Sequence, residues 1–318
     1  MPDRELVTAT IASTMIFGSG EECPGEFYCL PGLREVYGLT FKEFKTVDPG
    51  GPLTVEALRT AQIDVGVLFT TCPHLESGGG DLVLLDDDRR LQPPEQVVPI
   101  VGAGVRHLAA RIDEALADVS RELTTESLAR LNREIDLRDG PRRDVVAGWL
   151  EKVAPRRAGG DAAETIGTVR VASADFSESM TIAEIYAQAL TRRGFEIERV
   201  GAVGNRDAYF PRLVAGAYDL VPEYVGSLLA FLEAGGAERG AGQALWRTGL
   251  SSALRRTGLS SALRRLEGML VRADATALTP ATGQSQNGIA VTAETASRHG
   301  LCRVSDLSRT VPGPRNLE

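Results

Sequence analysis

Apolar and polar residues along the chain follow two periods, and their alternation predicts an α/β fold. Short apolar runs bounded by turn residues indicate strands at residues 14–18, 39–47, 64–69, 97–101, 169–172, 195–200 and 218–224. Helical spacing indicates helices over residues 53–61, through much of residues 105–153, and around Ile182, Ile185, Tyr186, Ala189 and Leu190. Within the long helical region, Thr124 or Thr125 is the expected N-cap of one helix.

Two segments interrupt this alternation. Residues 154–163 are small, polar and rich in Gly and Ala, which is typical of a linker, and a new α/β unit follows them. Residues 247–255 recur at once as residues 256–264. Nine residues make about two and a half helical turns, so the second copy does not keep the face of the first. We interpret the repeat as a local duplication that lengthens a surface helix or loop.

Composition narrows the possible classes of protein. The 318 residues suffice for two modest domains or one two-lobed protein, and 43% of them are apolar, which supports a core. A net charge of −8 disfavours a nucleic acid partner. No run approaches the ~18–20 apolar residues of a membrane span. The start of the chain is unlike a signal peptide, so either an export signal has been removed or replaced, or export does not use this end.

Few side chains fit catalysis or metal binding. The histidines, at positions 74, 107 and 299, lie in no nucleophile or metal motif, and no phosphate-binding or dinucleotide fingerprint is present. We therefore predict a protein that is not an enzyme and holds no cofactor or metal. Cys23 and Cys29 are close enough in one loop for a local disulfide; unpaired thiols or half of a metal site are the alternatives. The pairing of Cys72 and Cys302 stays open.

Several motifs carry a family resemblance. Residues 169–179, 204–206 and 215–227 resemble the start of the glycine betaine, choline and carnitine binding proteins of ABC importers. The most specific of them is Pro222-Glu223-Tyr224-Val225-Gly226-Ser227, where that family has Thr in place of Ser227. Residues 286–292 and 305–307 resemble the middle of the family pattern, and residues 29–132 contain segments similar to its second half.

The two halves of the family pattern have exchanged places in this chain, so that the second half comes first. Since each segment occurs once, the simplest interpretation is a circular permutation in which residues 154–167 join the old termini. A junction of two truncated genes, or a chain that swaps halves with a partner, would produce the same sequence.

The resemblance implies a two-lobed periplasmic-binding-protein fold of type II that closes on its ligand by hinge motion. In permuted order, residues 82–283 form one continuous lobe, which contains the linker. Residues 1–81 and 284–318 form the other. The crossovers are expected near residues 73–82 and 278–283.

The family's ligands carry a quaternary ammonium group, which aromatic faces attract through cation–π interactions. The resemblance places Tyr224 in an aromatic cage, and Phe69 is a second candidate unless it ends a buried strand as core. Phe176, Ser177 and Glu178 start a helix that could bind a ligand carboxylate, although capping by Ser177 or Ser179 is an equal alternative. Further candidates, by position, are Thr70, Thr71, Asn205, Arg206, Ser227 and Asn287.

For two of these residues, Arg206 and Asn287, the predicted role in ligand binding stays open. Arg206 either pairs with a carboxylate or is a solvated surface charge. Around Asn287 the family often has a tyrosine and this chain has none, so a complete cage and the identity of the ligand are open.

The function that the resemblance implies is that of a monomeric, extracytoplasmic solute-binding protein with an ABC permease as its partner. The alternatives are a ligand-sensing module without a transport role and a rearranged or half-swapped gene product.

Overall fold

A computed structural model of the chain describes residues 9–75, 80–155, 165–235 and 258–310. Contacts divide the chain into two compact units. Unit 1 consists of Met1–Phe69, His74–Gln92 and Asn287–Glu318, and unit 2 consists of Thr70–Pro73 and Pro93–Gln286. Among the described helices, none has both the length and the apolar character that a membrane span requires.

Strands and helices alternate through most of the described sequence. The described strands are β1 (Ile16–Ser19), β2 (Glu43–Thr46), β3 (Val65–Phe69), β4 (Leu82–Leu85), β5 (Val97–Val101), β6 (Thr168–Ser173), β7 (Glu196–Ala202), β8 (Leu220–Tyr224), β9 (Thr276–Ala277) and β10 (Asn287–Thr292). The described α-helices are α1 (Leu30–Tyr37), α2 (Pro52–Arg59), α3 (Ala109–Glu122), α4 (Thr125–Asp136), α5 (Arg142–Val153), α6 (Ser177–Arg192), α7 (Arg206–Val214), α8 (Val225–Glu233), α9 (Leu259–Arg272) and α10 (Ala293–His299).

Unit 1 is built on a sheet with the strand order β2-β1-β3-β10-β4. β1 runs parallel to β2 and β3, and β10 runs antiparallel to β3 and β4. A Cβ atom at Gly18 in β1 would lie 2.5 Å from Cδ1 of Ile63, so glycine lets Ile63 pack directly against the strand. A disulfide joins Cys23 and Cys29, whose Cα atoms are 5.3 Å apart. Of the other two cysteines, Cys72 is buried and Cys302 is exposed.

Unit 2 is built on a second sheet with the order β7-β6-β8-β5-β9. β6 runs parallel to β7 and β8, whereas β5 runs antiparallel to β8 and β9. Apolar side chains of these strands and of helices α3 to α6 form one core. Every residue of β8 is buried, Glu223 included, so this strand carries a carboxyl group into an apolar layer.

Most predicted elements are present, with shifted ends. Over residues 105–153 the chain forms three separate α-helices, α3, α4 and α5, after a 3-10 turn. Thr124 is the N-cap of α4: its side chain accepts from the Ser127 amide at 3.1 Å, and the Ser127 hydroxyl accepts from the Thr124 amide at 2.9 Å. Part of the second copy of the repeat starts α9, whereas the first copy and most of the predicted linker lie outside the described residues.

The unit boundaries differ from those of the predicted lobes. The prediction assigns residues 82–92 to the continuous lobe, yet they belong to unit 1 because β4 pairs with β10, with Leu85 opposite Ile289. The prediction assigns residues 70–73 and 284–286 to the discontinuous lobe, yet they belong to unit 2. There the Thr71 side chain binds Glu178, and the Ser285 amide donates to the Glu95 carbonyl at 3.0 Å.

Candidate functional site

Polar and aromatic residues gather at one edge of the unit 2 sheet. Because β6, β7 and β8 are parallel, their carboxyl ends share this edge, and α6, α7 and α8 begin just beyond it. β5 runs the other way and pairs Val97 with Tyr224, so the residues before β5 reach the same edge. We call this region the carboxyl edge. It comprises residues 173–178, 202–206, 224–227 and 93–96.

A buried carboxyl group, that of Glu178, binds several chain segments at the carboxyl edge. Its Oε1 accepts from the Tyr224 hydroxyl at 2.8 Å. Its Oε2 accepts from Nδ2 of Asn132 at 2.7 Å and from the Thr71 hydroxyl. The Thr71 hydroxyl is also 2.8 Å from that of Ser285. All five residues are buried, so these hydrogen bonds replace water for the groups that form them.

The Glu178 cluster contains neutral donors and no basic one. Each of these three contacts donates to a carboxyl oxygen of Glu178. Within the described residues, no Lys, Arg or His forms an ion pair with Glu178. A cation at this edge would be attracted to the carboxyl oxygens of Glu178.

Two aromatic rings lie beside Glu178. The Phe176 and Tyr224 rings are stacked, with centroids 6.3 Å apart and an angle of 28° between their planes. Tyr224 is 9% exposed, whereas Phe176 is half-buried. Burial, followed by the charge of Glu178, raises the pKa of Tyr224 well above its usual range, so its hydroxyl stays a donor. The two rings and the carboxylate together have the chemistry to attract a cation.

A second buried carboxyl group, that of Glu223, is fully paired with protein groups. Arg206 binds it in a bidentate manner, with both N–O distances 2.9 Å. The Tyr209 hydroxyl donates to Oε1 at 2.6 Å, and the Tyr224 amide donates to Oε2 at 3.1 Å. Arg206 also donates to the Ser227 hydroxyl at 2.8 Å. The guanidinium of Arg206 therefore serves an internal ion pair.

A third carboxyl group, that of Glu95, binds the first turn of α8. Its Oε2 accepts from the Gly226 amide at 3.0 Å and from the Ser227 amide at 3.2 Å. Burial raises the pKa of Glu95 to about 8, although the two amides and the charge of Arg206 act in the opposite direction. Glu95 is therefore mostly protonated at pH 7.

The remaining predicted residues of unit 2 have structural partners. The Asn205 side chain caps α7 by accepting from the Ala208 amide at 3.1 Å. The Ser177 hydroxyl donates to Asp136 at 2.5 Å and accepts from Arg142 at 3.1 Å. The Thr70 hydroxyl accepts from the Gln286 amide at 3.0 Å.

Phe69 and Asn287 lie in unit 1. They occupy opposite positions where β3 and β10 pair. Phe69 ends β3 and is half-buried, and a Cβ atom at Gly50 would lie 3.2 Å from its ring.

Five residues of these clusters are missing from the predicted set: Glu95, Asn132, Tyr209, Glu223 and Ser285. A signal existed for two of them. Glu223 interrupts an apolar strand, and Asn132 shares the apolar face of α4 with Leu128 and Ile135. Glu95 and Ser285 lie in irregular segments, where no periodic pattern distinguishes a buried polar residue from a solvated one.

Comparison with known families identifies the class of protein. Residues 11–152 and 167–316 match the family described as the substrate binding domain of ABC-type glycine betaine transport systems. The chain belongs to this family. The fold is therefore the two-lobed α/β fold of periplasmic binding proteins, and the role is that of a solute-binding protein for an ABC importer. Such proteins are extracytoplasmic, bind small molecules for a permease and are not enzymes.

Solved structures show more distant likenesses. An ancestral arginine-binding protein bound to arginine has 10% identity and a TM-score of 0.39, covering 94% of this chain and 90% of that one. A probable transcriptional regulator from Pseudomonas aeruginosa has 12% identity and a TM-score of 0.41, covering 96% of this chain and 70% of that one. Likenesses at this level carry no further argument.

Proposed function

We propose that this binding protein captures a small quaternary ammonium solute, of the glycine betaine or choline type, and delivers it to its permease as a monomer. Phe176, Glu178 and Tyr224 are the residues that we assign to the ammonium group. Thr71 takes part indirectly, since its hydroxyl holds Glu178.

One observation carries the proposal: Glu178 is a buried carboxylate without a basic partner in the described chain, and it lies beside a stacked aromatic pair. A quaternary ammonium group cannot donate an N–H hydrogen bond, so it is selected by charge and by aromatic faces. Each favourable ring face contributes on the order of 0.5–2 kcal/mol. The carboxylate adds attraction that a neutral solute of the same shape would not receive.

We also propose that the order of the chain is circularly permuted. The family match falls into two segments, and the break between residues 152 and 167 coincides with the predicted linker at 154–167. A linker there fits the joining of old termini, which usually lie close together on the surface of a domain. The two units, with the boundaries given above, would then correspond to the family's two lobes.

A thermal-shift screen of the purified chain tests the proposed function. Choline, glycine betaine and carnitine are compared with amino acids and sugars at equal concentration. A ligand at a hundred times its Kd stabilises a protein by about 2.7 kcal/mol, which is readily measured. We expect stabilisation by at least one of the three quaternary amines and none by the sugars. Stabilisation by amino acids or sugars alone would contradict the proposal.

Replacing Glu178 tests the observation on which the proposed function rests. Glu178→Gln removes the negative charge and keeps an oxygen that can accept from Tyr224, so we expect quaternary amine binding to weaken about tenfold or more. Glu198→Gln, at an exposed position of β7, is the matched control and should bind as the wild type does. Equal affinity in all three proteins would show that Glu178 has no part in cation binding.

A further inference from the structure

The carboxyl edge contains two groups that ordinarily bind a ligand carboxylate: the N-terminus of α8 and the guanidinium of Arg206. Helix N-termini bind anions because the first-turn amides lack partners within the helix. Arginine binds carboxylates in a bidentate manner. Glycine betaine carries a carboxylate and choline does not. Which solute binds therefore depends on whether these two groups are free to bind a carboxylate.

Residues 93–96 occupy the N-terminus of α8. The Val225 amide donates to the Gln96 carbonyl at 3.1 Å, and the Gly226 and Ser227 amides donate to the Glu95 carboxyl. Three successive first-turn amides are thus bound by the chain itself. The fit is close, because a Cβ atom at Gly226 would lie 2.5 Å from Cβ of Pro93. The chain's own carboxyl group therefore takes the place that a ligand carboxylate would occupy at α8.

The other anion-binding groups at this edge are also engaged. Arg206 forms its bidentate pair with Glu223. The start of α7 is capped by Asn205, and the first turn of α6 bears the carboxylate of Glu178. Arg142, on α5, donates to Ser177 and to Thr181. An incoming carboxylate would meet carboxyl groups at α6 and α8 and a neutralised guanidinium at α7.

We propose that Glu95 is a specificity-determining residue, which closes the N-terminus of α8 to a ligand carboxylate and makes the site prefer a monocation to a zwitterion. This inference rests on the proposed function and specifies it further. Choline is the probe for a monocation with no carboxylate, and glycine betaine is the probe for the zwitterion.

The charge of Glu95 provides an independent measurement. The charged groups that act on it are Arg206 from α7 and Glu223 from β8, and its hydrogen bonds come from α8. Since its pKa is about 8, raising the pH from 7 to 9 adds a negative charge at the carboxyl edge. Choline keeps its charge over this range, so its binding should strengthen. Glu95→Gln retains an acceptor for the amides and cannot ionise, so the rise in choline affinity with pH should be absent in this variant.

Calorimetric titration of choline and glycine betaine into the wild type, Glu95→Ala, Glu95→Gln and the surface control Glu198→Gln tests the inference. We expect the wild type and the control to bind choline about tenfold or more tightly than glycine betaine at pH 7. In Glu95→Ala the Gly226 and Ser227 amides become available, and the preference should fall to about threefold or less. Glu95→Gln should keep the preference at pH 7 and lose the rise in choline affinity up to pH 9.

Three results would overturn the inference while solute binding stands: glycine betaine binding as tightly as choline in the wild type, an unchanged ratio in Glu95→Ala, or a Glu95→Gln pH profile identical to that of the wild type. If Glu95→Ala does not fold, the pH profile of Glu95→Gln decides. A wild type that binds neither solute refutes the proposed function itself, and the inference with it.

Discussion

Glu95 makes the stability of this binding protein depend on pH, and the sign of the effect follows from its burial. In the folded chain the pKa of Glu95 is about 8, compared with an ordinary value of 4.5. The folded state therefore holds the proton more tightly than the unfolded state does. The stability that this provides is complete below about pH 4.5 and is lost as the pH rises towards the folded pKa.

The size of the effect follows from the two pKa values. Each pKa unit corresponds to about 1.36 kcal/mol, so a group that moves from 4.5 to about 8 loses on the order of 4 kcal/mol between pH 5 and pH 9. About half or more of this loss falls between pH 5 and pH 7, where the unfolded chain releases the proton and the folded chain keeps it. Glu95 is buried, so solvent screening reduces the effect little.

Urea denaturation of the wild type and of Glu95→Gln at pH 5, 7 and 9 measures this effect. Glutamine mimics the protonated carboxyl group and accepts from the same two amides, so the variant does not lose stability through ionisation at position 95 as the pH rises. We expect the free energy of unfolding of Glu95→Gln, relative to the wild type, to increase by about 4 kcal/mol from pH 5 to pH 9. Glu198→Gln, exposed on β7, should show no such trend. A difference that is constant over this pH range would refute the buried, proton-holding role of Glu95.

Three further predictions concern other contacts. Tyr224→Phe keeps the ring, so quaternary amine binding should change little, while loss of the hydrogen bond to Glu178 should cost about 1–3 kcal/mol of stability. Tyr224→Ala removes the ring and should weaken binding about tenfold or more. Unchanged affinity in a folded Tyr224→Ala protein would show that the site is elsewhere. Arg206→Met leaves Glu223 buried without its counter-ion and should reduce the free energy of unfolding by about 3–5 kcal/mol in urea, whereas Arg130→Met on the exposed face of α4 should leave it nearly unchanged. Peptide mapping without reduction should find Cys23 linked to Cys29, and replacing both with serine should cost about 2 kcal/mol; free-thiol labelling of both residues in the exported protein would contradict this.

The strands and helices of the fold were largely predictable because their signals are local. Residues 64–69 and 97–101 are short apolar runs between turn residues, and they form β3 and β5. Thr124 carries a capping signal within a few residues of sequence and does cap α4. β4 is different, since its place in unit 1 depends on pairing with β10, about two hundred residues further along the chain. No local pattern indicates such a partner, and the boundary predicted at residue 82 followed from the family resemblance alone.

The candidate site was predictable only where a motif marks it. The motif around Tyr224 and the helix start at Glu178 led to two residues that the structure joins by a hydrogen bond. Glu223 belongs to the same motif, yet only the fold shows that it binds Arg206. Asn132 reaches Glu178 across 46 residues, and Ser285 reaches Thr71 across 214 residues. Contacts at these separations are created by tertiary packing and leave no periodic trace in the sequence.

The central claim is that this binding protein selects its solute by positive charge as well as by shape. Isothermal titration of the purified wild-type chain with choline and with its neutral carbon isostere, 3,3-dimethyl-1-butanol, tests the claim most directly. The two solutes have nearly the same shape, and only choline can gain from Glu178 and from the faces of Phe176 and Tyr224. We predict binding of one choline per chain, with the isostere weaker by about tenfold or more. Equal affinity for the two solutes, or no binding of choline by the folded protein together with tight binding of an uncharged solute, would contradict the account.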